Sequence, residues 1–241
     1  MAARLAERLV EPELLDALPA DHPAARGARR DLVLVNRLMF NAGILAAELA
    51  RHAPAGRLRI AELGAGDGRL MRTVAGRLAG RFDRVAVTLV DIAGPGPDAA
   101  AQDTAFRALG WKVDRVTADV FDWMKADHQT GFDVITANLF LHHFRPAALR
   151  RLLGRAGALT RLFVAVEPRR DLLSLAASRC LGAFGANRVP RHDAPVSVRA
   201  GFRDGEISAC WADQAGFRLA ERSRPPFAHV FVAKARDRVG R

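Results

Sequence analysis

The chain of 241 residues contains no tyrosine, so it has no phenol of its own for acid–base work. Cysteine is nearly as scarce: Cys180 and Cys210 stand apart without metal-ligand spacing, and two thiols provide no disulfide framework. No apolar run approaches the ~20 residues of a membrane span, and Arg4, Glu7 and Arg8 interrupt the stretch where a secretory h-region would lie. A cytoplasmic location without a membrane span is expected, with surface association left open. Lysine occurs only as Lys112, Lys125 and Lys234, so the formal charge of +11 rests on arginines scattered from Arg4 to Arg241. Nucleic-acid binders cluster their basic residues, whereas scattered arginine fits a compositional bias. Nucleic acid is therefore not the expected partner.

What is present is apolar bulk: 50% of the residues are hydrophobic, enough for one large α/β domain. The organising stretch is Arg57 to Leu70, RLRIAELGAGDGRL. Leu58, Ile60, Ala61 and Leu63 read as a buried strand, Gly64, Gly66 and Gly68 as a tight turn, and the residues beyond as a helix start. Backbone amides exposed on such a turn, with a helix N-terminus behind them, bind a ligand closely. The spacing is G-x-G-x-G rather than G-x-G-x-x-G, which disfavours a dinucleotide. A second strand, Val85 to Val90, ends in Asp91, where an open α/β sheet places a carboxylate for ribose hydroxyls.

The segment Glu62 to Gly68, ELGAGDG, with Asp91 behind it, resembles the first motifs of class I S-adenosylmethionine (SAM)-dependent methyltransferases. The resemblance covers roughly Leu58 to Ala235. It implies a Rossmann-like α/β fold with a seven-stranded, mostly parallel sheet, an antiparallel last strand beside the fifth, and helices on both faces. It also implies a cofactor site at Glu62, Gly64, Ala65, Gly66, Gly68, Asp91, Ile92, Asp119, Val120 and Asn138, with S-adenosylhomocysteine (SAH) as product. Asp119 either meets the adenine amino group, as the resemblance implies, or caps the turn after the third strand. The segment Asn138-Leu-Phe-Leu141 lacks the N/D-P-P-Y/F signature of base-amine methyltransferases, so N6-adenine-type chemistry is not expected.

Along the chain, residues 1–56 read as a helical cap: two short helical pieces before Leu18, a loop to Arg30, and one amphipathic helix from Asp31 to His52. Residues 57–241 form the catalytic domain. Helices are expected at 69–78, 98–109, 146–159, 171–183 and 206–216, and strands at 58–63, 85–90, 113–118, 132–138, 161–167, 217–221 and 227–233. The stretch 184–203, with Pro190 and Pro195, reads as an irregular substrate lid. Met39, Phe40, Phe140, Phe144 and Phe184 are candidate apolar walls.

Methyl transfer from a sulfonium needs in-line alignment and a nucleophile in its reactive protonation state, and it calls for no metal. A hydroxyl acceptor benefits from a base, and histidine is matched to neutral pH. His142 and His143 lie just beyond the fourth strand, and F-L-H-H resembles the I-L-H-D segment of plant-type phenolic O-methyltransferases, whose histidine is catalytic. His142 is the first candidate base, against a plain packing role; His192 with Asp193 is the rival dyad. The run His192 to Phe202 is similar to bacterial small-molecule methyltransferases of polyketide or quinone-like compounds. The expected acceptor is a hydroxyl, or an activated ring carbon, of a hydrophobic aromatic or lipid-like molecule, handled by a monomer or homodimer. The rivals are an RNA or protein methyltransferase and a non-catalytic SAM-binding partner subunit.

Overall fold

The computed structural model of the chain describes residues 5–15, 17–18, 22–126, 128, 131–181, 187–212 and 215–236. Seven strands form one sheet: β1 (Arg57–Leu63), β2 (Arg84–Asp91), β3 (Trp111–Thr117), β4 (Phe132–Asn138), β5 (Thr160–Pro168), β6 (Phe217–Arg224) and β7 (Ala228–Ala235). Their order is β3-β2-β1-β4-β5-β7-β6. Strands β1 to β5 pair in parallel, and β7 runs antiparallel to both β5 and β6. This is the Rossmann-like class I methyltransferase arrangement that the sequence predicts.

Period-two alternation in the strands splits the core into two layers. Leu58, Ile60, Val87, Val134 and Val164 face one side, packed by α2 (Asn41–His52) and α3 (Arg69–Arg77), with Phe106 of α4 (Ala99–Ala108). Ala61, Leu63, Ile135, Phe163 and Phe231 face the other, covered by α5 (Val120–Lys125) and α6 (Pro146–Leu159) through Trp123, Leu149, Leu152 and Leu153. Each such fully buried side chain contributes about 1.5–3 kcal/mol relative to exposure. The order reverses between β1 and β4, both continuing into neighbouring strands of opposite sequence direction, so a crevice opens at their C-terminal ends.

The N-terminal region departs from the sequence reading. Residues 5–15 contain no α-helix and run as a strap, while Pro23 opens a helix within the stretch read as a loop to Arg30. Helix α1 (Pro23–Leu38) starts there because proline at the first helical position forfeits an amide that has no partner anyway. The single helix expected over 31–52 is two, bent by 56° where Phe40 adopts a left-handed φ of 57°. Among the described residues no single helix is long and apolar enough to cross a membrane.

Two further segments differ. Within 184–203, read as irregular, residues 188–200 are helix α8 (Arg188–Ala200), which packs on α7 (Leu172–Arg179) and on α1. Asn187 caps it by accepting the Val189 N–H, and Pro190 sits in the first turn, where an amide is dispensable. Phe184 lies outside the described residues. The helix expected at 206–216 is only a 3-10 turn at Ser208–Cys210, because the Glu221 carboxylate captures the Ile207 and Ser208 amides at 3.0 and 2.7 Å.

Candidate functional site

The strand-turn-helix β1-α3 places Gly64, Ala65 and Gly66 at the sheet edge, with both glycines at positive φ, 66° and 56°. A Cβ on Gly64 would strike the Phe140 ring at 2.1 Å, whereas nothing lies within 4 Å of one on Gly66, so space is open above the middle of the turn. Asp91 closes the turn from the neighbouring strand: its carboxylate accepts the Gly66 N–H and the Ala93 N–H, each at 2.8 Å. Ile92 beside it is 73% exposed, an apolar side chain presented at the mouth of the crevice.

Among the described residues, three buried oxygens at this edge have no hydrogen-bond partner: Glu62 Oε2, Asn41 Oδ1 and Asn138 Oδ1. Burial, followed by the nearby charges of Asp91 and Asp67, pushes the Glu62 carboxyl up to about 8. Asn36 of α1 ties the other two into place, its Oδ1 accepting from Asn41 Nδ2 at 2.9 Å and from Asn138 Nδ2 at 3.0 Å. Buried acceptors without donors are costly unless a ligand supplies them. A ligand bearing an ammonium and a sulfonium fits this set, and SAM is such a molecule. Asp119 uses Oδ1 to accept the Phe121 and Asp122 amides at 2.7 and 3.3 Å, which gives it the capping role at the start of α5, with Val120 buried behind it.

The histidine pair forms a 3-10 turn at Leu141–His143, directly after β4. Glu167, fully buried at the end of β5, orders that turn. One carboxylate oxygen accepts the Phe140 and Leu141 amides at 3.0 and 2.8 Å, and the other meets His142 Nδ1 at 2.8 Å. On its far side His142 Nε2 lies 3.3 Å from Glu13 Oε1. Burial opposes charge on this imidazole, but the hydrogen bonds and charges of Glu13 and Glu167 outweigh it and raise its pKa to about 9. The same contacts hold Glu13 down at about 2 and lower Glu167. His142 is thus enclosed between two carboxylates, hydrogen-bonded through Nδ1 to Glu167 and ion-paired through Nε2 with Glu13, rather than the open base expected from the sequence. His143 is half-buried, its ring 4.3 Å from that of His142 between centroids.

The strap lies across this turn. Arg8 donates to the carbonyl oxygens of Ala200 (2.8 Å), Phe144 (3.2 Å) and His142 (3.3 Å), and stacks 4.0 Å above the Phe202 ring. Arg170, buried, donates to the carbonyls of Leu5 and Gly201 and pairs with Glu206. Asp193 accepts the Leu14 and Leu15 amides at 2.9 and 3.0 Å, so the expected His192–Asp193 pair, 2.8 Å apart, is a strap anchor with His192 half exposed. Between strap and turn lies a cavity of about 380 Å³ lined by Val10, Glu11, Pro12, His143, Phe144 and Arg145. Phe140 and Phe144 meet edge to face at 5.0 Å as apolar walls. Met39 is instead buried in the core and Phe40 is 63% exposed at the α1–α2 elbow. Arg8 and Glu13 were missed in sequence; they act across 129 or more residues, and no local spacing signals them.

Residues 61–161 match the family model described as a methyltransferase domain. No curated protein matches the chain. Among solved structures it is similar to the magnesium protoporphyrin IX methyltransferase (ChlM) of Synechocystis PCC 6803 with bound SAH. There the identity is 16% and the TM-score 0.52, over 89% of this chain and 88% of that one. It is similar to the pyocyanin biosynthetic protein PhzM at 16% identity and TM-score 0.59, over 92% and 62%. It is also similar to human N-acetylserotonin methyltransferase in complex with SAM, at 16% identity and TM-score 0.56, over 97% and 65%. The chain therefore spans less than two thirds of the length of the last two, and at these identities the likeness is one of fold.

Proposed function

We propose that the chain is a class I S-adenosylmethionine-dependent methyltransferase that methylates a hydroxyl, or an activated ring carbon, of a hydrophobic aromatic or polyketide- or quinone-like small molecule. Bound SAM supplies a methyl group on a sulfonium sulfur, ready for in-line displacement. Asp91 and the Gly64–Gly66 turn would hold the ribose and methionine parts, while Glu62 and Asn138 would offer acceptors to its cationic groups. The acceptor enters the cavity beside His143, where Phe144, backed edge to face by Phe140, offers an aromatic wall and Arg145 a charge.

The observation that carries the small-molecule reading is the roof. Residues 8–15, tied down by Arg8 and Asp193, cover the C-terminal edge and leave a cavity of about 380 Å³, the size range of a small-ligand site. Such a roof also excludes water from the displacement. His142 keeps its proton and fixes the turn, so His143 is the imidazole that faces the acceptor. The named neighbours, a porphyrin methyltransferase, a pyocyanin biosynthetic protein and an N-acetylserotonin methyltransferase, are in keeping with a small acceptor.

The charge of +11 favours one other reading, methylation of RNA or protein. Incubating the protein and methyl-labelled SAM with a lysate of its source, then counting label in organic extract, RNA and protein, separates them. Label in the extract is the expected result; label confined to a polymer overturns the acceptor assignment, and no transfer at all favours a non-catalytic SAM-binding subunit.

A further inference from the structure

Glu13 comes from the strap, and His142 and His143 from the turn after β4, yet one donor atom of each lies within 4.8 Å of the other two. We infer that these three side chains form a binding site for a divalent cation of the zinc type, with a fourth position open to an oxygen ligand from the adjoining cavity. Ligand chemistry selects the metal: two imidazoles and one carboxylate are the donor set of three-ligand zinc sites with an open position, and too nitrogen-rich for magnesium or calcium.

The surroundings are built as a metal site requires. Glu167 is acceptor-only when ionised, so the 2.8 Å contact keeps a proton on His142 Nδ1 and aims Nε2 at Glu13; an incoming cation displaces the Nε2 proton to solvent. A carboxylate behind the distal nitrogen of a ligating histidine fixes its ring and raises its basicity. The Nε2–Oε1 separation of 3.3 Å is long for a charge-assisted hydrogen bond, which closes to about 2.7–2.9 Å. It matches the edge of a tetrahedron with bonds of about 2.0–2.1 Å, roughly 3.3–3.4 Å. Glu13 is itself held by Ser197 Oγ at 2.5 Å, and a ring nitrogen of His143 lies within 4.8 Å of the other two donor atoms. His143 also lines the cavity, which gives an entry path and a place for the fourth ligand. The cation would pin strap to sheet edge at the acceptor side. The inference rests on the proposed function only for what fills the fourth position.

Chelator-treated full-length protein, without SAM or acceptor, is dialysed to equilibrium against zinc chloride and the bound metal counted by mass spectrometry. One zinc per chain is expected, with a Kd in the micromolar range or tighter. Affinity should fall at least tenfold in His143→Ala and in Glu13→Gln, and stay unchanged in His192→Ala and Cys210→Ser. Zinc should raise the Tm of the wild type but not of His143→Ala, whose half-buried side chain can be removed without unfolding the chain. Absence of saturable binding, or binding that persists in both His143→Ala and Glu13→Gln, overturns the site. SAH binding and label transfer that survive in the same preparation would show that the methyltransferase reading stands regardless.

Discussion

His142 carries the sharpest consequence of the geometry, because its imidazolium is buried between two carboxylates and its pKa is raised from the ordinary 6.5 to about 9. A raised value means that the folded chain holds the proton more tightly than the unfolded chain does. The stabilisation is then fully present below pH 6.5 and is lost as pH climbs through 9. That span corresponds to roughly 3 kcal/mol at about 1.4 kcal/mol per pH unit. Glu62, raised from 4.5 to about 8, loses its contribution between those two values, so the comparison must be with a variant that keeps Glu62. In His142→Gln the residue at 142 is uncharged at every pH. Urea unfolding of both proteins at about pH 6 and about pH 9.5 should show the wild-type advantage shrinking by roughly 3 kcal/mol. An advantage that does not change with pH would mean that His142 titrates alike in the folded and unfolded chains, and the reading of Glu13 and Glu167 as its partners would be refuted.

The turn gives a contrast between neighbours. Gly66→Ala meets only the left-handed φ, a cost of about 1–2 kcal/mol, whereas Gly64→Ala must also displace the Phe140 ring, adding about 1–3 kcal/mol. Unfolding free energies that rank the two equally would remove Phe140 from the turn. Because Glu62 is held up at about 8 and has an unpaired oxygen, a cationic ligand group should favour its ionised form. SAH affinity is expected to tighten several-fold between about pH 6.5 and pH 8.5, by calorimetry, and to lose that dependence in Glu62→Gln.

The core of the fold was legible because its signals are local. Strand β4 and helix α6 fall at 132–138 and 146–159 as read, the first from Phe132, Val134 and Ile135 and the second from Pro146 at its first position. The β1 turn is written in three glycines, and Asp91 in the end of an apolar strand. The cap was not legible, for physical reasons. Phe40 breaks the 31–52 helix in a left-handed conformation that neither glycine nor proline announces, and Pro190 and Pro195 look like breakers although α8 contains both. The 206–216 segment has helical periodicity, but Glu221 takes its amides from across the chain. At the site the histidine pair was found from its place after β4, while its protonation was set by Glu13 and Glu167, residues that sequence spacing does not bring together.

The account turns on a cofactor held at the β1 turn with Asp91 as its anchor. Titrating SAH into the wild type and into Asp91→Ala, with Tm measured on both to confirm folding, tests it most directly. Loss of two charge-assisted hydrogen bonds should weaken SAH at least thirtyfold, the equivalent of about 2 kcal/mol. Equal affinity in a folded Asp91→Ala would place the cofactor elsewhere and contradict the assignment of the site.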